Sequence, residues 1–258
     1  MTTITSEALA DYTPPAGILN NHVILVSGAG SGIGRAAAIA LAEHGATVVL
    51  AGRTLAKLEA TYDEIEENGY PQPAIFPINF ESATAHDYEA LKTTLDDTFG
   101  RLDGLLHCAG ELGPRTPLEQ YAESEWDKLM HVNLKSAFML SKSLLPLLQK
   151  SANPRVLFTS SSVAKKGRAY WGAYAISKAG INNLTEVLAD EMEAEESFCV
   201  NALNPGATRT PMRAAAYPAE NPDCVTPPEQ LMNRFIFLLS PGCKGVSGQI
   251  FDAQPMPC

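Results

Sequence analysis

From residue 22 to residue 253 the chain repeats one pattern: a short apolar run, a turn, then a helical stretch. The runs are His22–Ser27, Thr47–Ala51, Ala74–Ile78, Asp103–Cys108, Arg155–Ser160, Phe198–Leu203 and Gly248–Ala253. The helical stretches are Ile33–His44, Leu55–Glu67, about Ala85 to Phe99, Ser124–Lys150, Trp171–Glu196 and about Pro228–Leu239. The runs lack the apolar–polar alternation of a sheet with one wet face, so both faces of the sheet must be covered. Strands separated by helices pair in parallel. The pattern predicts a single doubly wound Rossmann-type α/β domain over residues 1–258, with a parallel sheet of about seven strands and helices on both faces.

Composition narrows the function classes. A chain of 258 residues buries enough surface to fold without a metal or disulfide. Its 29 acidic and 19 basic residues give a net charge of −10 with no Lys/Arg block, so neither nucleic acid nor an anionic membrane is the expected partner. No run approaches the ~18 apolar residues of a membrane span, and the polar start with Pro14 and Pro15 is no secretory signal. The cysteines are scattered without a CxxC pair and the histidines lack ligand spacing, so free thiols in a reducing cytoplasm and no metal are expected.

Two segments depart from the repeat. Arg209–Gln230 holds Pro211, Pro218, Pro222, Pro227 and Pro228, so it is neither a regular strand nor one long helix. Following a strand end, it is expected to be a substrate lid, about residues 209–230. The stretch Ser124–Lys150 is apolar on more than one stripe, from Trp126 and Leu129 to Leu147 and Leu148. One side can face the sheet and the other a second subunit, giving a homodimer or homotetramer.

The first strand runs into Ser27-Gly28-Ala29-Gly30-Ser31-Gly32-Ile33-Gly34. Glycines there let the backbone turn tightly and approach a pyrophosphate, at which the next helix aims its N-terminal N–H groups. The absence of a GKS/GKT ending excludes an NTPase loop. The second strand ends Leu50-Ala51-Gly52-Arg53, without the acid that pairs with the ribose hydroxyls of NAD. An Arg binds a 2′-phosphate through a charged fork, so Arg53 points to NADP(H), NAD(H) being the less favoured cofactor, with Ser31 as a second ligand. Further along, Tyr174 and Lys178 are four apart in a helical stretch and share a face. A neighbouring cation lowers a phenol's pKa from its usual ~10, suiting it to proton exchange with an alcohol. Ser161 ends the fifth strand, where doubly wound sheets hold their ligands.

Together these residues resemble the short-chain dehydrogenase/reductase family over about Leu19 to Asp252. Ser27–Gly34 is similar to the family's TGxxxGxG, with Ser for Thr, and Tyr174–Lys178 to its YxxxK. His107-Cys108-Ala109-Gly110 stands where NNAG is usual, with both asparagines replaced, and Phe251-Asp252-Ala253-Gln254 departs from the common DGG close. RLDGLLHCAGELG, LFTSSSV, GRAYWGAYAISK, NPGATRTPMRA and FDAQP are similar, more narrowly, to its YciK-like bacterial subgroup.

The resemblance implies a catalytic tetrad of Asn133, Ser161, Tyr174 and Lys178. It implies cofactor contacts from Gly28, Ser31, Gly32, Ile33, Gly34, Arg53, Asn79, Phe80, Ala109, Gly110, Pro205, Gly206, Thr208 and Thr210, besides Tyr174 and Lys178. The implied activity interconverts a carbonyl and a secondary alcohol on a small molecule. Ser161 and Tyr174 hold the carbonyl oxygen and Tyr174 exchanges the proton. Lys178 depresses the Tyr174 pKa and holds the ribose, while Asn133 fixes a helix distortion and a water that replenishes the proton. Arg209–Thr226, Glu111–Arg115 and Lys165–Trp171 are expected to shape the substrate pocket, with Arg115, Lys165, Lys166, Arg168, Tyr170, Trp171, Met212, Arg213 and Tyr217 among them. The alternative is a catalytically silent NADP(H)-binding sensor or scaffold; an enoyl reductase, a sugar-nucleotide epimerase and a methyltransferase fit the motifs less well.

Overall fold

The computed structural model describes residues 4–254. The expected domain span of 1–258, and Cys258 with it, therefore lies partly outside the described residues. Seven parallel strands form one sheet: β1 Val23–Ser27, β2 Thr47–Gly52, β3 Ala74–Pro77, β4 Gly104–His107, β5 Arg155–Thr159, β6 Cys199–Asn204 and β7 Ile250–Asp252. Their order is β3-β2-β1-β4-β5-β6-β7. The helices are α1 Ser6–Ala10, α2 Gly32–Glu43, α3 Leu55–Glu67, α4 Ala85–Phe99, α5 Glu123–Met130, α6 Ser136–Leu148, α7 Ser162–Lys165, α8 Gly172–Glu191, α9 Pro211–Ala216 and α10 Met232–Leu239.

Strand residues alternate between two cores, which is why the runs had to be apolar throughout. Ile24, Val26, Val48 and Leu50 pack with Ala37 and Leu41 of α2 and Phe235 and Leu239 of α10. Leu25, Val49, Leu105 and Phe158 pack on the other face with Leu91 of α4, Leu140 and Leu144 of α6 and Leu188 of α8. Arg155 is fully buried at the start of β5, where its guanidinium donates to the carbonyls of Ser240 (2.9 Å), Pro154 (2.9 Å) and Ser197 (2.5 Å). It thereby ties the end of α10 to the sheet.

Two sequence expectations are corrected, and one helix had no counterpart among them. The stretch Ser124–Lys150 is not one helix: a π-helical turn, His131–Lys135, separates α5 from α6. One extra residue in the turn leaves the apolar pattern on both sides intact, so periodicity does not reveal the break. The helix expected over Trp171–Glu196 ends at Glu191. Short α1, capped by Thr5, was hidden in the polar start because only Leu9 of it is buried.

The segment 209–230 is folded by local contacts. A parallel bridge joins Thr208 to Thr226 at its base. Between them lie α9, an Arg213–Glu220 ion pair at 2.6 Å and a short 3-10 turn, Pro222–Cys224. No helix of the described residues is long and apolar enough to cross a membrane. Likewise, no cluster of metal-ligating side chains exists among the described residues.

Candidate active site

The chain leaves β1 toward β2 and β3, then crosses to β4, so a crevice opens between the C-terminal ends of β1 and β4. Ser27 Oγ accepts from the backbone N–H groups of Cys108 (3.2 Å) and Ala109 (3.1 Å), fastening the two strand ends together. Gly28 has φ +73, and a Cβ there would lie 2.8 Å from the Ala109 nitrogen. A Cβ on Gly34 would lie 2.4 Å from the Gly28 carbonyl oxygen. Only glycine lets the loop and helix approach this closely. Ser31 precedes α2, and its hydroxyl makes no capping bond, so it is free for a ligand at the helix N-terminus.

Two connected hollows follow. A small one, about 160 Å³, is lined by Gly28, Ser31, Arg53, Asn79, Phe80, Ala109 and Gly110, with Thr54, Lys57, Glu81 and Glu111 among the rest. The other, about 510 Å³, is lined by Gly28, Ser31, Gly32, Ile33, Gly34, Ala109, Gly110, Ser161, Tyr174, Lys178, Pro205, Gly206, Thr208 and Thr210. Every residue expected at the site lines one of them except Asn133, which is buried behind Glu111. The elongated crevice has glycine backbone at its centre, a free hydroxyl at a helix start and an arginine at one end. Those features suit a phosphorylated dinucleotide.

Ser161 immediately precedes α7 without a side-chain capping bond, and its hydroxyl neighbours the Tyr174 phenol closely enough to lower its pKa. Tyr174 and Lys178 project from the first turns of α8. Lys178 Nζ donates to the Thr159 carbonyl at 2.7 Å and lies 5.9 Å from the Tyr174 ring centroid. Asn133 sits in the π-helical turn. Its Oδ1 accepts from Glu111 N (2.8 Å), and its Nδ2 donates to Glu111 O (2.9 Å) and Ser177 Oγ (3.2 Å). The helix break thus holds the loop after β4 against α8.

The electrostatics differ from the sequence expectation. Burial raises the Tyr174 pKa above its usual value, outweighing the Ser161 hydrogen bond that lowers it. The expected net depression by Lys178 is therefore corrected. Burial also lowers Lys178 to about 8, because both charged forms lose water. Next door, His107 is pushed down to about 3 by burial and by Lys178, so it is neutral. It stacks on Phe158 at 4.6 Å and meets Ser141 Oγ at 3.2 Å. Cys108 is raised to about 11 by burial, with Sγ 3.1 Å from Thr159 Oγ1. The two replaced asparagines leave the β4–β5 ladder intact, with His107 opposite Phe158.

Of the residues expected to shape the substrate pocket, Arg168, Trp171, Met212, Arg213 and Tyr217 line the larger hollow. Lys165, Lys166, Tyr170 and Arg115 do not. Lys165 is paired with Asp252 at 2.7 Å. Arg115 stands against the rings of Trp171 (4.9 Å) and Tyr217 (5.2 Å) without lining the cavity. Sequence reasoning missed Gln254, whose Nε2 donates to Pro205 O (2.7 Å) and Ala207 O (2.9 Å). It also missed the quartet around Arg53, in which Glu111 lies 3.0 Å from both Arg53 and Lys128 while Glu81 is 3.8 and 3.7 Å away. Such long-range pairs leave no local sequence signal.

The chain was compared with known proteins. The family model for short chain dehydrogenases matches residues 22–221. The uncharacterized oxidoreductase YciK of Escherichia coli (strain K12) is 42% identical over 95% of this chain and 96% of its own. A Pseudomonas syringae structure is 50% identical with a TM-score of 0.93, covering 95% of this chain and 99% of that one. An Escherichia coli CFT073 structure complexed with NADPH is 42% identical with a TM-score of 0.91, covering 94% of this chain and 100% of that one. Motifs, strand order and relatives agree: the chain belongs to the short chain dehydrogenase family, in its YciK-like group.

Proposed function

We propose that the protein interconverts a carbonyl and a secondary alcohol on a small molecule with NADP(H), Tyr174 being the general acid and base. The observation that carries this is the convergence of Ser161, Tyr174 and Lys178 on the one cavity that the glycine loop opens onto, with Lys178 Nζ 5.9 Å from the Tyr174 ring centroid. Arg53 at the end of the crevice and the NADPH complex of the Escherichia coli CFT073 relative support the cofactor. Gly28 to Gly34, Asn79, Phe80, Ala109, Gly110 and the Pro205–Thr210 loop would hold it. When bound, its nicotinamide supplies or accepts a hydride at the carbonyl carbon.

The chain's own residues do the rest. The Ser161 hydroxyl and the Tyr174 phenol both reach the cavity and can hold one carbonyl oxygen between them. Burial keeps Tyr174 protonated, so in the reduction direction it meets the substrate as an acid with a proton to give. Lys178 would face the phenolate that remains and would hold the ribose hydroxyls of the cofactor. Asn133 holds Glu111 and Ser177, and through them the distance between the loop after β4 and α8. Phe138 of α6 and Ile176 and Val187 of α8 are large apolar side chains left exposed, which supports a homodimer or homotetramer.

The test is Tyr174→Phe. Turnover of a carbonyl with NADPH is expected to fall by about 10²–10⁴-fold while NADPH binding is kept. Full turnover in that variant overturns the assignment. A wild-type protein that binds NADPH but reduces no carbonyl in a broad panel supports a sensor instead.

A further inference from the structure

Beyond the Ser161–Tyr174 pair, the larger hollow changes character. Leu112, Val163 and Met212 line it together with the rings of Trp171 and Tyr217. The Trp171 ring lies 5.7 Å from that of Tyr174 and 6.1 Å from that of Tyr217. The wall therefore continues from Tyr174 as a run of aromatic rings, tilted by 49° and 44° from one to the next. Arg115 braces it: the guanidinium donates to the Ala216 carbonyl and contacts both rings. A flat conjugated body presents the most contact area to such a wall.

The charge is equally one-sided. The chain carries 29 acidic residues, yet no Asp or Glu lines this hollow, and its full charges are Lys178, Arg168 and Arg213. Lys178 is committed to Thr159 O. Arg213 is closed by a two-pronged pair with Glu220 at 2.6 Å and lies 3.8 Å from the Tyr217 ring centroid. Arg168 is different. It is exposed at the mouth, in the loop between Ser161 and Trp171, and its guanidinium has no hydrogen bond or ion pair among the described residues. A guanidinium fork is shaped to take a carboxylate or phosphate.

We propose that the substrate is an aromatic or flat conjugated carbonyl bearing an anionic group, the ring lying against Trp171 and Tyr217 and the anion taken by Arg168. This names the substrate class of the site and rests on the reductase reading above.

The experiment uses two ketones of one shape, 4-acetylbenzoate and 4-acetylbenzamide, which differ in charge. A third, 4-acetylcyclohexanecarboxylate, keeps the charge and loses the flat ring. Turnover with NADPH is measured alongside calorimetric binding to the NADP⁺-loaded protein, for wild type and Arg168→Gln. The benzoate is expected to exceed the benzamide by about ten-fold in both kcat/KM and affinity, and the ratio to fall to about one in Arg168→Gln. The cyclohexane acid is expected to be several-fold worse than the benzoate. A benzamide handled as well as the benzoate, or a ratio that survives Arg168→Gln, overturns the anion assignment and leaves the reductase reading standing. Equal performance of the cyclohexane acid overturns the aromatic part. Binding that follows charge and Arg168, with no turnover of any probe, upholds the site and overturns the reductase reading instead.

Discussion

Arg53 gives the sharpest test of cofactor choice, because the structure already shows what occupies it. Its side chain is 57% exposed and Nη1 lies 3.0 Å from Glu111 Oε1 and 3.8 Å from Glu81 Oε2. Lys128 shares both carboxylates, at 3.0 and 3.7 Å. Two cations and two anions form a balanced quartet. A 2′-phosphate must draw Arg53 away from Glu111, and the net gain is a difference between two bonds. A charge-assisted hydrogen bond to the phosphate contributes about 1.5–3 kcal/mol. The exposed ion pair it replaces contributes at most about 1 kcal/mol. The surplus of about 1–2 kcal/mol is roughly 5- to 30-fold in affinity. Arg53→Ala also leaves two carboxylates facing one lysine, which adds repulsion.

Titration of purified protein by NADPH fluorescence is therefore expected to show Arg53→Ala weakened by about 10- to 30-fold. NADH, lacking the phosphate, should change less than about 3-fold in the same variant. Glu111→Gln releases Arg53 and is expected to tighten NADPH by up to about 5-fold. It keeps the backbone N–H and carbonyl that Asn133 holds. Equal losses for NADPH and NADH in Arg53→Ala would refute the reasoning, since the arginine would then be supporting the crevice rather than reading the phosphate.

Lys178→Met should make stability respond differently to alkali. Folded Lys178 loses its proton near 8 rather than 10.5, so below pH 8 the fold carries the full penalty of a buried ammonium. Between about pH 8 and 10.5 the unfolded chain holds more protons, and wild type should gain about 3 kcal/mol over the variant in denaturant melts; parallel profiles would contradict this. Gln254→Ala strands the Pro205 and Ala207 carbonyls and frees Thr226 Oγ1, which now donates to Gln254 at 2.7 Å. A loss of about 2 kcal/mol, or about 4–8 °C in melting temperature, is expected with weakened NADPH binding; an unchanged melt would show that the loop holds itself. Light scattering should give a mass of two or four times the 27.6 kDa chain, and Phe138→Glu should shift it toward the monomer. A wild-type monomer would remove the oligomer.

The sheet was legible because its constraint is uniform. The inner strands are buried on both faces, so Val23–Ser27 and Thr47–Gly52 could only read as unbroken apolar runs. The glycine loop was legible for a related reason. Gly28 and Gly34 meet backbone atoms at distances no side chain tolerates, so the residue type records the geometry. What stayed hidden depends on contacts distant in sequence. The π-helical turn at His131–Lys135 preserves the apolar pattern on either side. Glu111 acquires its partners from Arg53 and Lys128, 58 residues away in the first case. Gln254 stands where the family has glycine, and only the folded chain shows its amide bridging the Pro205 loop to Thr226.

The Tyr174–Lys178 pair shows where spacing alone misleads. Four residues apart on α8, the two share a face, and that is as far as the pattern reaches. The inference that the ammonium depresses the phenol adds the charge and leaves out the water. Both groups are buried, and burial moves each toward its neutral form: Tyr174 upward, Lys178 down to about 8. Before reaction the phenol is neutral, and there is no phenolate for the ammonium to stabilise. In the proposed reaction the interaction would switch on when Tyr174 gives up its proton. The phenolate would then stand on a ring whose centroid lies 5.9 Å from the ammonium, and at an effective dielectric constant of about 20 two unit charges about 6 Å apart attract by about 3 kcal/mol. That is about two pKa units, available only after the proton has left. On the proposed mechanism, the dry cavity that opposes ionisation of free Tyr174 is thus what would make Lys178 effective in the transition state. Exposing the pair to water would lower the phenol's pKa and weaken catalysis together.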